Sequence, residues 1–262
     1  MYSKEHLRYL KNIKYNNYKI KITQIILIIL IIILWQILAS LNIINSFITS
    51  SPINIIKTIY NLYISSDLFN HIMVTTYETL ICFLLAIILS IIISTIFWYN
   101  KFIAKVLEPY ITILNSLPKV ALGPIIIIWA GANSKSIILM SLLISIFVMI
   151  INIYEGFKNT DINKINLLKS FKANKNQIYL YVILPRNFKT IISSLKICIS
   201  MSLIGVIMGE LLVSKQGLGY LIMYGSQTFN LDLVMSGIFI LCILATIMYY
   251  LISFVEQGIT KN

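Results

Sequence analysis

Charge is scarce in this chain of 262 residues: 11% of positions are Asp, Glu, Lys or Arg, against ~25% in soluble domains. Acidic residues are the rarer sign, nine in all, and histidine occurs twice. His6 and His71 stand apart from any Cys/Asp/Glu cluster, so no metal site is expected. The same shortage leaves no paired carboxylates or His-rich face, which an integral-membrane enzyme would need. Cysteine is limited to Cys82, Cys198 and Cys242, each within an apolar stretch. A disulfide scaffold is thereby excluded, and the thiols read as small hydrophobes. No G-x-x-x-x-G-K-[ST] run occurs; the nearest fragment, 133–136, lacks the second glycine, so no ATP-hydrolysing site is visible in the chain.

Apolar residues are what the chain has instead, at 58%, above the ~45–50% of soluble domains. That content excludes disorder and points to a polytopic membrane protein. Backbone polar groups in lipid must be satisfied within each segment, so the fold class is an all-α bundle of membrane helices. A hydrocarbon core of ~30 Å takes about 20 helical residues. Six runs fit: 22–44, 74–98, 109–131, 137–154, 190–213 and 232–254. The first is too long for a signal-peptide core and no clean small-x-small cleavage site follows it, so it is expected to be retained. The third is broken by Pro118 and Pro124. The organisation is then a basic N-terminus (1–21), a first transmembrane helix (22–46), a five-helix core (47–258) containing a polar loop (155–189), and a tail (259–262).

A net charge of +12 suggests nucleic acid in a soluble protein, but here its distribution gives a simpler account. Sixteen Lys and Arg fall on one side of the six spans and three on the other, with Lys119 and Lys196 inside spans. Positive residues gather on the cytoplasmic side. Both termini and the loop 155–189 are therefore expected in the cytoplasm, with the chain in the cell's inner, cytoplasmic membrane and no role for nucleic acid.

The loop is polar and long. Ile162, Ile165, Leu168 and Phe171 recur at helical spacing, which predicts a short amphipathic helix over 161–173 with Asp161 as its N-cap and Asn174 near its end. A second helix, 175–183, should stop before Pro185. Such a pair lying along the membrane is open to two readings: an interfacial anchor on lipid, or a docking surface for a cytoplasmic partner.

Several motifs occur in order. Leu117–Gly131 reads LPKVALGPIIIIWAG, a Pro-broken span ending in Trp-x-Gly; Glu155-Gly156 opens the loop; Val182-Ile183-Leu184-Pro185 closes it; Gly209–Ile222 reads GELLVSKQGLGYLI. Together, over roughly 47–258, they resemble the membrane permease of binding-protein-dependent ABC importers, in the branch for nitrate, sulfonate, taurine and thiamine-precursor uptake. The resemblance implies a coupling helix that enters a groove on a separate ATPase, involving Ile165, Asn166, Leu167, Leu168, Lys169, Ser170, Phe171 and Lys172, with Leu184 and Pro185 closing the motif. It further implies two cytoplasmic ATPase subunits carrying ATP and magnesium, an extracellular or periplasmic solute-binding protein, and a second permease copy as homodimer. No cofactor is expected on this chain itself. The family loop begins Glu-Ala-Ala with glycine six residues after the Glu; here those positions hold Asn166, Leu167, Leu168 and Lys172.

Other positions are candidates for the path and its gate. Pro118 and Pro124 free backbone groups at membrane depth, which is tolerated only in protein or beside a cavity; a simple packing kink is the alternative. Lys119, between them, can snorkel toward the cytoplasm. Ser141, Ser145, Ser200 and Ser202 are candidates for a polar passage, or bond their own helix backbones. Gly205 and Gly209 form a G-x-x-x-G that suits packing within the chain or between two copies. Glu78, beside Thr75, Thr76 and Thr79, Glu210 and Asp232 lie near span ends and are expected to reach water. Glu210, with Gly217 and Gly219, is the candidate outer gate. An ion-coupled transporter or channel is the competing function, and acids placed near the span ends disfavour it.

Overall fold

The computed structural model describes residues 4–260. Among the described residues every regular element is helical. The basic N-terminus and the first span form one helix, α1 (Lys4–Ser40). Its apolar stretch is exposed almost throughout, and its packing is with α2 (Ser46–Thr49) and α3 (Pro52–Ile64). A helix whose apolar stretch meets few protein neighbours uses lipid as its solvent. The α3 start is fixed by Ser51, whose hydroxyl accepts from the Asn54 N–H at 3.3 Å, followed by proline in the first turn.

The core is a trio: α4 (Asp67–Tyr99), α7 (Ser134–Lys158) and α10 (Leu184–Val213). Small residues let these helices approach closely. A Cβ on Gly205 would lie 2.4 Å from Ser141 Cα, and one on Gly209 would lie 3.0 Å from Ile137 Cα. The G-x-x-x-G therefore packs α10 on α7 within the chain. Ser90 and Ser94 of α4 donate to the carbonyls of Ile146 and Ile150 at 3.3 and 3.2 Å, two rungs one turn apart. Phe83, Met149, Ile153 and Cys198 fill the space between the three. On the flank, α11 (Leu218–Gln227) and α3 pack on α12 (Leu231–Thr260). There Ser50 donates to Asp232 at 2.6 Å.

Two expectations from the sequence are corrected. The third span is no straight crossing: α5 (Lys101–Ser116) and the segment Lys119–Ala130 are bent by 89°. Pro118 makes the break, whereas Pro124 sits in the first turn of α6 (Gly123–Ala130), where a missing N–H costs nothing. Second, α9 (Lys175–Ile178) does not stop before Pro185 but runs through a π-turn, Tyr179–Ile183, into α10. In the π-turn the Leu184 N–H reaches the Tyr179 carbonyl, and Pro185 falls in the first turn of the α-segment that follows. Five helices are long and apolar enough to cross a membrane, or six if the bent pair counts as one span. Of the expected tail, Lys261 and Asn262 lie outside the described residues.

Candidate functional site

The loop end of the bundle is built around α8 (Ile162–Ser170). Asp161 caps it, accepting from the Asn163 N–H at 2.9 Å. At its other end the Ala173 N–H bonds the Leu168 carbonyl at 3.0 Å and the Lys172 N–H bonds the Lys169 carbonyl at 2.9 Å. These paired bonds are a Schellman motif, whose turn residue must be left-handed. Lys172 is that residue, with φ +58°. It adopts the left-handed conformation without being glycine, the residue that does so most easily.

Ile165, Leu168 and Ala173 pack onto the bundle core. Ile162 and Phe171, expected on that same face, point outward. The reason is length: Ile162 is the first helical residue and Phe171 is already the C-cap, so neither shares the helix's inner stripe. Leu167 and Phe171 are 58% and 73% exposed. Asn166, Lys169 and Ser170 are exposed beside them. Leu184 packs on the core and Pro185 is exposed.

The loop is tied to the bundle by groups the sequence does not advertise. Asn187 donates to Thr160 Oγ1 at 2.7 Å and to the Ile183 carbonyl at 2.8 Å. Gly156 leaves room for it, since a Cβ there would lie 3.0 Å from Asn187 Oδ1. Tyr179, in the π-turn, shares a hydrogen bond with Thr95 at 2.6 Å. Its ring meets Trp98, Tyr99 and Phe157 at 5.4–5.9 Å between centroids. One aromatic joint thus connects α4, α7 and α10 beneath α8.

At the opposite end, Glu210 holds the connection between α10 and α11. One carboxylate oxygen accepts from Thr75 Oγ1 at 2.7 Å and the other from the Gly219 N–H at 2.6 Å. Thr75 Oγ1 also accepts from the Leu218 N–H at 2.8 Å, and His71 Nδ1 from the Gly217 N–H at 3.0 Å. Gly217 is required twice, by its φ of +106° and because a Cβ would lie 2.4 Å from Glu210 Cδ. The expectation that Glu78 and Glu210 reach water is overturned, for both are 1% exposed. Glu78 shares a face of α4 with Thr75, three residues away. Neither of its oxygens has a well-formed hydrogen bond, and Ser134 is the polar side chain facing it.

Midway, Ser141 donates to the Ser202 carbonyl at 2.7 Å, and Ser145 to the Ser141 carbonyl at 3.0 Å. Ser141, Ser145 and Ser202 are fully buried around Cys82. Within one chain they join helices and line no open passage; Ser200 alone of the four is exposed. Lys119 does not snorkel away: its ammonium donates to the Asn115 carbonyl and side chain at 2.9 and 3.1 Å, capping the end of α5. Lys196 is ion-paired with Glu256.

Comparison with known proteins agrees with this arrangement. The chain is 26% identical over 231 residues to the putative aliphatic sulfonates transport permease protein SsuC of Bacillus subtilis, covering 88% of this chain and 84% of that one. It is 27% identical over 229 residues to the formylaminopyrimidine transport permease protein ThiX of Halalkalibacterium halodurans, covering 87% and 91%. Its fold matches a chain of the inward-facing MetNI methionine ABC transporter with a TM-score of 0.63, at 16% identity over 76% of this chain and 96% of that one. Residues 84–261 match the model of the binding-protein-dependent transport system inner membrane component. By that match the chain belongs to the binding-protein-dependent transport system inner membrane component family, the permeases of ABC importers.

Proposed function

We propose that the chain forms half of a solute path, works as a homodimer, and is driven by two cytoplasmic ATPase subunits that grip α8. The observation that carries this reading is the split personality of α8. Ile165, Leu168 and Ala173 bind it to the core, while Leu167 and Phe171 stay outside on a capped frame. Exposed apolar side chains on a rigid support fit helix-in-groove docking. Force on α8 would pass through Asn187 and the Tyr179 joint to the three core helices, biasing an inward–outward equilibrium. The sixteen-to-three distribution of Lys and Arg supports a cytoplasmic position for α8 and both termini.

In this reading the bend at Pro118, the exposed Ser200 and the Glu210–Gly217–Gly219 closure contribute to the path and its outer end. The cargo is a small anionic or heterocyclic solute, the class that includes those named for SsuC and ThiX. Both lysines within the spans are already engaged, Lys119 by Asn115 and Lys196 by Glu256. That leaves selectivity to a solute-binding protein outside the cell. Replacing Leu167 and Phe171 together by Asp should abolish co-purification of the ATPase subunits while the chain still inserts in the membrane. Undiminished co-purification would refute the docking role.

A further inference from the structure

Two cavities lie end to end along α7. One, of about 580 Å³, sits at the basic end between the last turn of α4, the start of α5, the last turn of α7, and α8. Its floor is aromatic: Phe97, Trp98, Tyr154 and Phe157. Its rim carries Lys101, Lys158, Lys169 and Lys175. Lys158 is paired with Glu108 at 3.2 Å, and Lys175 donates to the Tyr99 carbonyl with its ammonium 5.8 Å from the Trp98 ring centroid. Lys101 and Lys169 are exposed and have no ion pair among the described residues.

The second cavity, of about 380 Å³, shares the Phe97 wall and runs between α4, α5 and α7. Its lining is wholly apolar, including Ile103, Leu107, Leu143 and Ile146. From Tyr154 to Leu143 is about 16 Å along α7, close to the half-thickness of a bilayer core, roughly 15 Å.

We propose that this pair of cavities binds one acidic phospholipid of the leaflet at the basic end. Its phosphate lies between Lys101 and Lys169, its glycerol region on the aromatic floor, and one acyl chain in the apolar groove. Basic pockets between membrane helices take anionic head groups, and each lysine near the surface adds to the attraction. A soluble anion would leave the apolar groove unfilled. A cytoplasmic partner protein would have no access to its membrane-depth end.

The test is native mass spectrometry of the protein, extracted in mild detergent from vesicles of equal phosphatidylglycerol and phosphatidylcholine. The expected result is one phosphatidylglycerol retained per chain in preference to phosphatidylcholine. Replacing Lys101 and Lys169 together by Gln should cut that retention by about tenfold or more. Leu107→Trp, which fills the groove and leaves both lysines, should also reduce it with the melting temperature unchanged. Equal retention of the two lipids, or undiminished phosphatidylglycerol in the Lys101→Gln/Lys169→Gln variant, would overturn the proposal. Displacement by millimolar inorganic phosphate would identify a free-anion site instead. Loss of the lipid whenever ATPase subunits are bound would assign the cavity to the protein partner.

Discussion

The two ends of the bundle solve opposite problems. At the Glu210 end, polar groups are buried and those that form the α10–α11 connection are answered from within the chain: Glu210 by Thr75 and Gly219, the Gly217 N–H by His71. At the α8 end, the frame is equally well capped, but Leu167 and Phe171 are left outside it. Buried polar groups that satisfy one another fix a connection rigidly. Exposed apolar groups on a fixed frame mark a surface that is completed by something else. The difference teaches which end is closed by the chain's own chemistry and which end leaves apolar side chains for the proposed partner to cover.

That contrast can be broken first in the core that both ends depend on. Gly205→Val places a side chain against Ser141 backbone where even a Cβ would lie at 2.4 Å. It should destabilise by about 3 kcal/mol, read as a lowered melting temperature in detergent. Gly258→Ala, where nothing lies within 4 Å of the added Cβ, should leave the melt unchanged. A smaller effect should follow at the closed end. Glu210→Ala strands the buried Gly219 N–H and removes the acceptor of Thr75. A loss of about 2 kcal/mol is expected, with faster amide exchange confined to the segment around 214–221. Equal exchange in variant and parent would mean that Glu210 does not hold that connection.

The smallest effect sharpens the other end. Lys172→Gly relieves a left-handed residue and should stabilise α8 by about 1 kcal/mol, with ATPase co-purification retained. Destabilisation by this change would show that the Lys172 side chain contributes more than its backbone conformation costs.

Much of the frame was legible in the sequence because lipid imposes a simple rule: about 20 apolar residues make a span. The periodicity of the loop also placed a short helix capped by Asp161, and the chain leaves that helix through the left-handed Lys172. What escaped was long-range. Thr75 and Glu210 are 135 positions apart, and Asn187 and Thr160 are 27 apart, so no local pattern announces either bond. Glu78 and Glu210 were expected at the water interface because they lie near span ends, yet α7, α10 and the loop before α11 cover them. Of the two readings left open for the serines, bonding to their own helix backbone is seen for Ser145 and Ser200; a hydroxyl at a helix–helix contact and one facing a passage look alike in sequence. Pro185 misled for a similar reason: the π-turn that carries the chain past it has no clear signature in residue type.

The central claim is that α8 projects into the cytoplasm and is covered there by a separate motor. It is tested most directly by an impermeant maleimide on Phe171→Cys, with Cys242 replaced by Ala; the remaining cysteines, Cys82 and Cys198, are buried. The account predicts no labelling in intact cells, labelling in inverted vesicles of the chain alone, and protection once the ATPase subunits are co-expressed. Labelling in intact cells would contradict it.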